Sequence, residues 1–234
     1  MKSETSTKKR LRLGRTSPTA VARPVSRLGS RRQPEESRAS ILEAAVAEFA
    51  EHGIAGARTD AIALAAHVNK ALLYYYFKDK AALYEAVLDH VFGGLRTRVM
   101  PVLQSDLPPR QKLLGYLGTY FDYIAANPQF PSVVQSQWMR LGVDSTRMQR
   151  VAKEYFHPIF EKLAKLLREG IASGDFRPVN PMDFLPSMAA IIVFYFTSAP
   201  LMKTLMKTDP LSPKRIRERR AFVLDFISAA LFVC

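Results

Sequence analysis

The sequence predicts an all-α protein, and three features point that way. Apolar residues recur at helical spacing from Glu35 onward. Gly and Pro stand where those stretches end, as at Gly53, Asn127-Pro128 and Gly174. Near residue 60 a short helical stretch, a turn of three or four residues and a second short stretch follow one another, which is the pattern of a helix-turn-helix. The expected organisation is an N-terminal arm over residues 1–34, a small helical head over 35–92 and a larger helical region over 93–234.

The arm holds ten Lys and Arg against one acidic residue, Glu4, and so carries most of the net charge of +13. Residues 35–80 hold five basic against seven acidic side chains, so the high pI is not the property of a basic fold. Rich in Ser, Thr, Pro, Gly and Arg, the arm buries too little apolar surface to offset its conformational entropy and is expected to be disordered. Two readings fit it: a solvated leader, or a basic arm attracting polyanions without regard to sequence. Its Arg- and Ser-rich composition is shared with organelle transit peptides, but no amphipathic pattern stands out and no apolar core of a secretory signal is present. The one cysteine, Cys234, rules out a disulfide within the chain and suits a cytoplasmic protein. His52, His67, His90 and His157 fall in no metal-ligand spacing, and no Ser/His/Asp order, Gly-rich phosphate loop or paired carboxylates is found. No enzyme activity, metal or cofactor is therefore expected.

In the head, Ile41, Leu42, Ala45, Val46 and Phe49 form one apolar stripe of an amphipathic helix ended by Gly53. Ser40 and Glu43 have capping-box spacing, although Pro34 followed by two glutamates suggests an earlier start. Thr59 reads as the N-cap of a short second helix, with Ile62 and Ala65 or Ala66 turned inward. A tight turn follows, and Asn69 caps a third helix, "KALLYYYF". Residues step by about 100° around a helix, so with Leu73 in the core Phe77 returns beside it. Ala71, Leu72 and Tyr75 then face away, with Tyr74 and Tyr76 at the flanks and Lys70, Lys78 and Lys80 nearby. Phenols and lysines suit phosphate oxygens, and a small or apolar central face suits a DNA major groove. An exposed aromatic patch packed on a neighbouring domain fits these residues equally well.

The blocks "ILEAAVAEFAEHG", "TDAIALAAHV" and "NKALLYYYFKDKAALYEAVL" keep their spacing across three helices and into a fourth. Over residues 36–92 this resembles the DNA-binding domain of the TetR family of transcriptional regulators. The resemblance implies that Thr59 binds a phosphate, that Asn69, Lys70, Ala71 and Leu72 approach base edges, and that Tyr74 and Tyr76 grip the backbone with Tyr75 closer to the groove. Lys78 and Lys80 would hold phosphate as well, and the fourth helix would link reading head to effector domain. Leu72 departs from the Thr or Ser common at its position, and His67 from the usual Gly of the turn; a positive φ there would be tolerated by His less well than by Gly.

For the larger region the resemblance implies an all-helical ligand-binding and dimerisation domain. The residues give a helix ending at Asn127, a shorter one over about 131–142, and a long one over about 145–174 with a kink at Pro158. Asn180-Pro181 and Ser212-Pro213 place an N-cap before a proline and open two final helices, about 181–206 and 213–233. Phe184 to Met202 is nineteen residues without a charge. Pro186 and Pro200 interrupt it, so a helix buried on both sides is expected and not a membrane span. The resemblance implies that these two helices form a homodimer interface as a four-helix bundle. Tyr123, Trp138, Tyr155, His157 and Tyr195, aromatic groups with polar handles, are the candidates for an effector pocket, and such a lining suits an apolar or aromatic small molecule.

The expected function is a homodimeric regulator of transcription that reads double-stranded DNA at a palindromic site and is released by a small-molecule effector. A nonspecific or architectural DNA binder driven by the basic arm is the alternative reading. A larger region that binds a protein in place of a small molecule is a further one.

Overall fold

The computed structural model describes residues 34–138 and 145–233. Residues 1–33 of the basic arm, residues 139–144 and Cys234 lie outside the described residues, as do the side chains of residues 136–138 and 145. The described residues form helices, and no strand occurs among them. The head comprises α1 (Pro34–Gly56), α2 (Thr59–Ala65) and α3 (Lys70–Phe77), followed by α4 (Lys80–Gln104). The larger region adds α5 (Pro109–Ala126), α6 (Phe130–Trp138), α7 (Ser145–Val151), α8 (His157–Ala172), α9 (Pro181–Thr197), α10 (Ala199–Met206) and α11 (Pro213–Leu231).

The expected stripe of α1 is buried: Ile41, Leu42, Ala45 and Phe49 face the core, and the Phe49 ring meets Tyr84 of α4 edge-on at 4.9 Å. Helical geometry breaks at Gly53, whose φ of 61° and ψ of 177° belong to a region that essentially only glycine occupies, and one more turn follows to Gly56. Thr59 is not the N-cap of α2. Arg58 is, in an extended conformation and without a side-chain cap, which places Thr59 at the first helical position. Inward-facing Ile62, Ala63 and Ala66 bind α2 to the core, while Ala65 is exposed.

The turn between α2 and α3 closes as a Schellman motif. Val68 N donates to the Ala63 carbonyl at 3.0 Å and His67 N to that of Leu64 at 3.1 Å. His67 holds the left-handed position, φ 56°, that a glycine would take without strain. Asn69 caps α3 as expected, its Oδ1 accepting from Leu72 N at 2.7 Å. Asp79 caps α4 in the same way from Ala82 N at 2.7 Å. α4 runs on past residue 92 for about 37 Å in all, so the expected head and larger region share one helix.

In place of a simple kink at Pro158, a π turn (Ala152–Phe156) joins α7 to α8. Pro158 has no N–H, and its ring cannot approach the carbonyl four residues back. The backbone therefore widens over one turn before the α-helix resumes. α8 ends at Gly174, φ 78°, as expected. Its face at Gly170 must be bare, because a Cβ there would lie 2.1 Å from the Phe176 ring. Phe176 stacks on Phe232 at 5.4 Å and the two residues form an antiparallel bridge that fastens the end of the chain beside α8.

The final part differs from expectation in two ways. Residues 181–206 are not one helix but two, α9 and α10, which meet at 63° around Ser198. Pro200 withholds the N–H that Phe196 would bond and pushes on that carbonyl, so the ladder stops at Thr197. Asn180 caps α9, accepting from Met182 N at 3.0 Å, whereas Ser212 holds the N-cap position of α11 without a side-chain bond. Among the described residues no single helix is long and apolar enough to cross a membrane.

Two substitutions test the backbone argument. A methyl group at Gly53 would meet nothing within 4 Å, yet Gly53→Ala is expected to cost about 1–3 kcal/mol through strain alone. His67→Gly is expected to raise stability by up to about 1 kcal/mol, and His67→Val to lower it. Denaturant melts of the three variants would measure both, and a Gly53→Ala protein as stable as the wild type would refute the strain account.

Candidate nucleic-acid interface and effector pocket

α3 presents its residues as the 100° step requires. Leu73 and Phe77 are buried, Tyr75 is 80% exposed and Tyr74 38%. Ala71 is exposed, Leu72 partly covered, and Tyr76 half-buried between Tyr75 and Phe77 with ring centroids 5.2 and 6.5 Å away. The Tyr74 hydroxyl lies 3.1 Å from Thr59 Oγ1, which ties the outer edge of α3 to the first turn of α2. Two hydroxyls and the unbonded N–H groups at the start of α2 thus sit together on one surface.

The lysines differ in how free they are. Lys70 pairs with Asp60 across the two helices at 2.9 Å. That bond from Lys70 holds the Asp60 carboxyl below its ordinary value and raises the Lys70 ammonium. Lys80 Nζ donates to the Ala55 carbonyl at 3.2 Å, so it fastens α4 to the end of α1. Lys78 stands exposed at the centre of a γ-turn, φ 56° and ψ −57°, closed by Asp79 N donating to the Phe77 carbonyl at 2.5 Å. This is a strained turn for any residue with a Cβ. Asn69 Oδ1 is occupied by its cap, which leaves its amide nitrogen for another partner. Sequence reasoning overlooked two cations beside this surface: Arg58 at the N-cap of α2, and Arg38, whose guanidinium lies over the Phe77 ring at 5.2 Å. Arg58 was findable from its place just before Thr59; Arg38 is near Phe77 only through folding.

A second concavity lies in the larger region. α5, α6, α9 and the end of the π turn enclose an apolar pocket of about 500 Å³, lined by Tyr120, Phe130, Pro131, Val134, Gln135, Phe156, Pro186, Ala189, Ala190, Val193, Phe194 and Thr197. No lining residue is charged. Burial pushes the Tyr120 phenol, and that of its neighbour Tyr116, far up, so both stay neutral donors.

None of the described effector candidates lines this pocket. The Tyr123 hydroxyl donates to the Val91 carbonyl at 2.7 Å, and the position a Cβ would take on Gly94 is only 2.6 Å from it, so Tyr123 wedges α5 against α4. Tyr155 donates to Asp89 Oδ1 at 2.5 Å. His157 is exposed beside Glu161 at 3.6 Å. Tyr195 donates to the Pro210 carbonyl at 2.6 Å and borders a separate recess of about 340 Å³ between α10 and α11. The Trp138 side chain lies outside the described residues. The three tyrosine hydroxyls bond partners distant in the chain, which the sequence order does not display, while His157 faces its i+4 neighbour at the surface, and the pocket is lined largely by residues without a polar handle.

Residues 41–87 match the family described as bacterial regulatory proteins, tetR family, and residues 109–227 match the tetracyclin repressor-like C-terminal domain. The chain belongs to the TetR family. The HTH-type transcriptional repressor SCO4008 of Streptomyces coelicolor is 31% identical over 175 residues, 75% of this chain and 85% of that protein. The HTH-type transcriptional repressor NicS of Pseudomonas putida is 25% identical over 166 residues, 71% and 78% of the two chains. The ketosteroid transcriptional regulator KstR2 of Mycobacterium tuberculosis shares the fold, with a TM-score of 0.70 at 20% identity over 84% of this chain and 95% of that one. The protein is thus a TetR-family DNA-binding regulator of transcription with an N-terminal helix-turn-helix and a C-terminal helical domain. Members of this family are typically homodimers that respond to small molecules.

Lys78 gives a test in which two effects have opposite signs. Lys78→Gly relieves the γ-turn and is expected to melt above the wild type. It also removes an exposed cation beside α3, and is expected to weaken DNA binding at every sequence alike while lowering the salt slope by about one per subunit. Melting curves and salt titrations of DNA binding would show whether the two separate; a variant that binds DNA as tightly as the wild type would remove Lys78 from the interface.

Proposed function

We propose that this TetR-family protein is a homodimeric repressor that holds a palindromic operator and leaves it when a neutral, apolar or aromatic small molecule fills the pocket of α5, α6 and α9. The observation that carries the reading is that pocket, about 500 Å³ and without a charged lining residue. Its size is that of small-molecule sites, and burying an anion or cation there would leave a charge uncompensated. This favours a small molecule over a protein partner.

On this reading the head over residues 35–92 contacts DNA. Ala71, Leu72 and Tyr75, with Asn69, enter the major groove, and Thr59, Lys70, Tyr74, Tyr76, Lys78 and Lys80 meet the backbone on either side. Lys70 exchanges Asp60 for phosphate as it does so. Two heads stand about 34 Å apart in successive grooves. The dimer forms through α9, α10 and α11, where Phe194, Leu201, Leu205, Phe222 and Phe226 are exposed and the last two stack at 5.8 Å. Exposed large apolar groups are what a partner subunit covers. An effector shifts the heads only by binding the released state more tightly than the DNA-bound one. The protein would act in the cytoplasm, where its DNA is.

Selection of sites from random duplex DNA at about physiological salt tests the reading. An inverted repeat with half-sites one helical turn apart is the expected result, and a protein lacking residues 1–33 is expected to recover the same repeat. Absence of any consensus, with binding that collapses as salt rises, would replace the reading with attraction by the basic arm.

A further inference from the structure

The pocket of α5, α6 and α9 is apolar but not uniformly so. Tyr120, Gln135 and Thr197 are the lining residues with polar side chains. Gln135 is exposed, and the Thr197 hydroxyl donates to the Phe194 carbonyl at 3.1 Å. Tyr120 differs from both, being only 5% exposed. Among the described residues no hydrogen bond within the protein reaches its hydroxyl, and burial alone raises its pKa, with no bonded neighbour adding to the shift. The buried polar side-chain atoms that are sealed off without a partner are, among the described residues, the Nε atoms of Arg215 and Arg219. The Tyr120 hydroxyl is not one of them. It therefore opens on free space, and the free space that this residue lines is the pocket.

Packing holds that hydroxyl in place before any ligand arrives. Leu117, Phe121 and Ile124 of the same helix are buried. Phe121 meets Phe196 of α9 at 5.3 Å, and the Tyr120 ring lies 5.9 Å from that of Tyr116. Turning α5 would break these contacts. A donor held in this way loses little freedom on binding, and a tyrosine has few torsions to fix. The chemistry of the occupant follows from the donor. Burial keeps the proton on the phenol at neutral pH, and a ligand that offers only a donor would leave that proton unbonded. A carboxylate would accept it, but would bring a charge that no lining residue answers. A pure hydrocarbon would fill the space and cut the hydroxyl off from any partner, a loss that weakens the complex.

Resting on the function proposed above, we infer that Tyr120 is the specificity-determining residue of the pocket. Its ligand is a neutral apolar molecule with a hydrogen-bond acceptor, such as the carbonyl oxygen of a ketone or ester, set against the Tyr120 hydroxyl. Phe130, Val134 and Val193 supply apolar wall around it, and in such surroundings a hydrogen bond is electrostatically stronger than in water. Selectivity comes from the same source: a site built to bond a polar group rejects the analogue that lacks it, because its own group is then left unpaired. Tyr116 stands one turn earlier on α5 and does not line the pocket, so it takes no part in the choice.

The test uses a pair of compounds that differ by that one group. Fluorene and 9-fluorenone share a rigid fused-ring skeleton, and 9-fluorenone carries a carbonyl where fluorene has a methylene. Each is titrated as a competitor of N-phenyl-1-naphthylamine, a neutral apolar fluorophore, on the full chain without DNA. Comparing the ratio of the two affinities between proteins cancels the difference in hydration of the compounds. The preference for 9-fluorenone is expected to fall at least about 3-fold in Tyr120→Phe, while fluorene binds at least as well as to the wild type. Tyr116→Phe is expected to keep the wild-type ratio. Without ligand, Tyr120→Phe is expected to melt no lower than the wild type, because it loses no bond within the protein. An unchanged ratio in Tyr120→Phe, an equal fall in Tyr116→Phe, or a lower melting temperature of Tyr120→Phe would overturn the assignment and leave the proposed function standing. Displacement by neither compound would overturn the pocket reading and the assignment together.

Discussion

The structure depends on α4 being buried by two different sets of neighbours along its length. Its first turns carry Leu83, Tyr84, Val87 and Leu88 into the core of the head, and its later turns carry Leu95, Val99 and Leu103 into the larger region. A helix buried at both ends transmits position, because close-packed side chains shift between discrete arrangements more readily than they compress. Without that helix the head would be a small unit on a linker. With it, a change in packing more than a turn away has a mechanical route to α1.

The polar contacts on α4 follow from the same constraint. A stripe with Glu85, Asp89 and Arg96 would be a poor core, so the neighbouring segment has to answer each group. Arg147, Arg150, Tyr155 and the Glu154 carbonyl do so. Partly exposed ion pairs of this kind contribute little stability one at a time. Their value lies in register: Arg150 bonds Glu85 and Asp89 on α4 and Glu154 on the π turn at once, which ties the two elements together at three points.

In the head, strain and polarity collect on one surface. His67 and Lys78 both take positive φ, and Lys70 and Asp60 pair across the turn between them. Such conformations persist only where surrounding packing over-determines them. The buried pair Leu73 and Phe77, with Ile62 and Ala66 from α2, supplies that packing. Tyr74 and Tyr75 remain outside it as amphipathic groups facing solvent.

The sequence alone determined what depends on residues close in the chain. The stripe of α1, the break at Gly53, the caps at Asn69 and Asn180, and the opposed faces of α3 all follow from helical period and local backbone chemistry, and the structure has them where the period puts them. The head as a whole was readable for that reason. Tertiary structure decided the rest. Thr59 lost its capping position because the extended Arg58 begins α2. One helix over 181–206 became two, although Pro200 was in plain view, because a proline is compatible with either a kink or a break until packing selects one. The pocket was least readable: Tyr123 and Tyr155 found carbonyl or carboxylate partners on α4 and Tyr195 one in the loop before α11, while Tyr120, Phe156 and Ala190 came together from three separate segments. A hydroxyl's partner and a cavity's wall are both set by which helices meet, and no spacing within one helix records that.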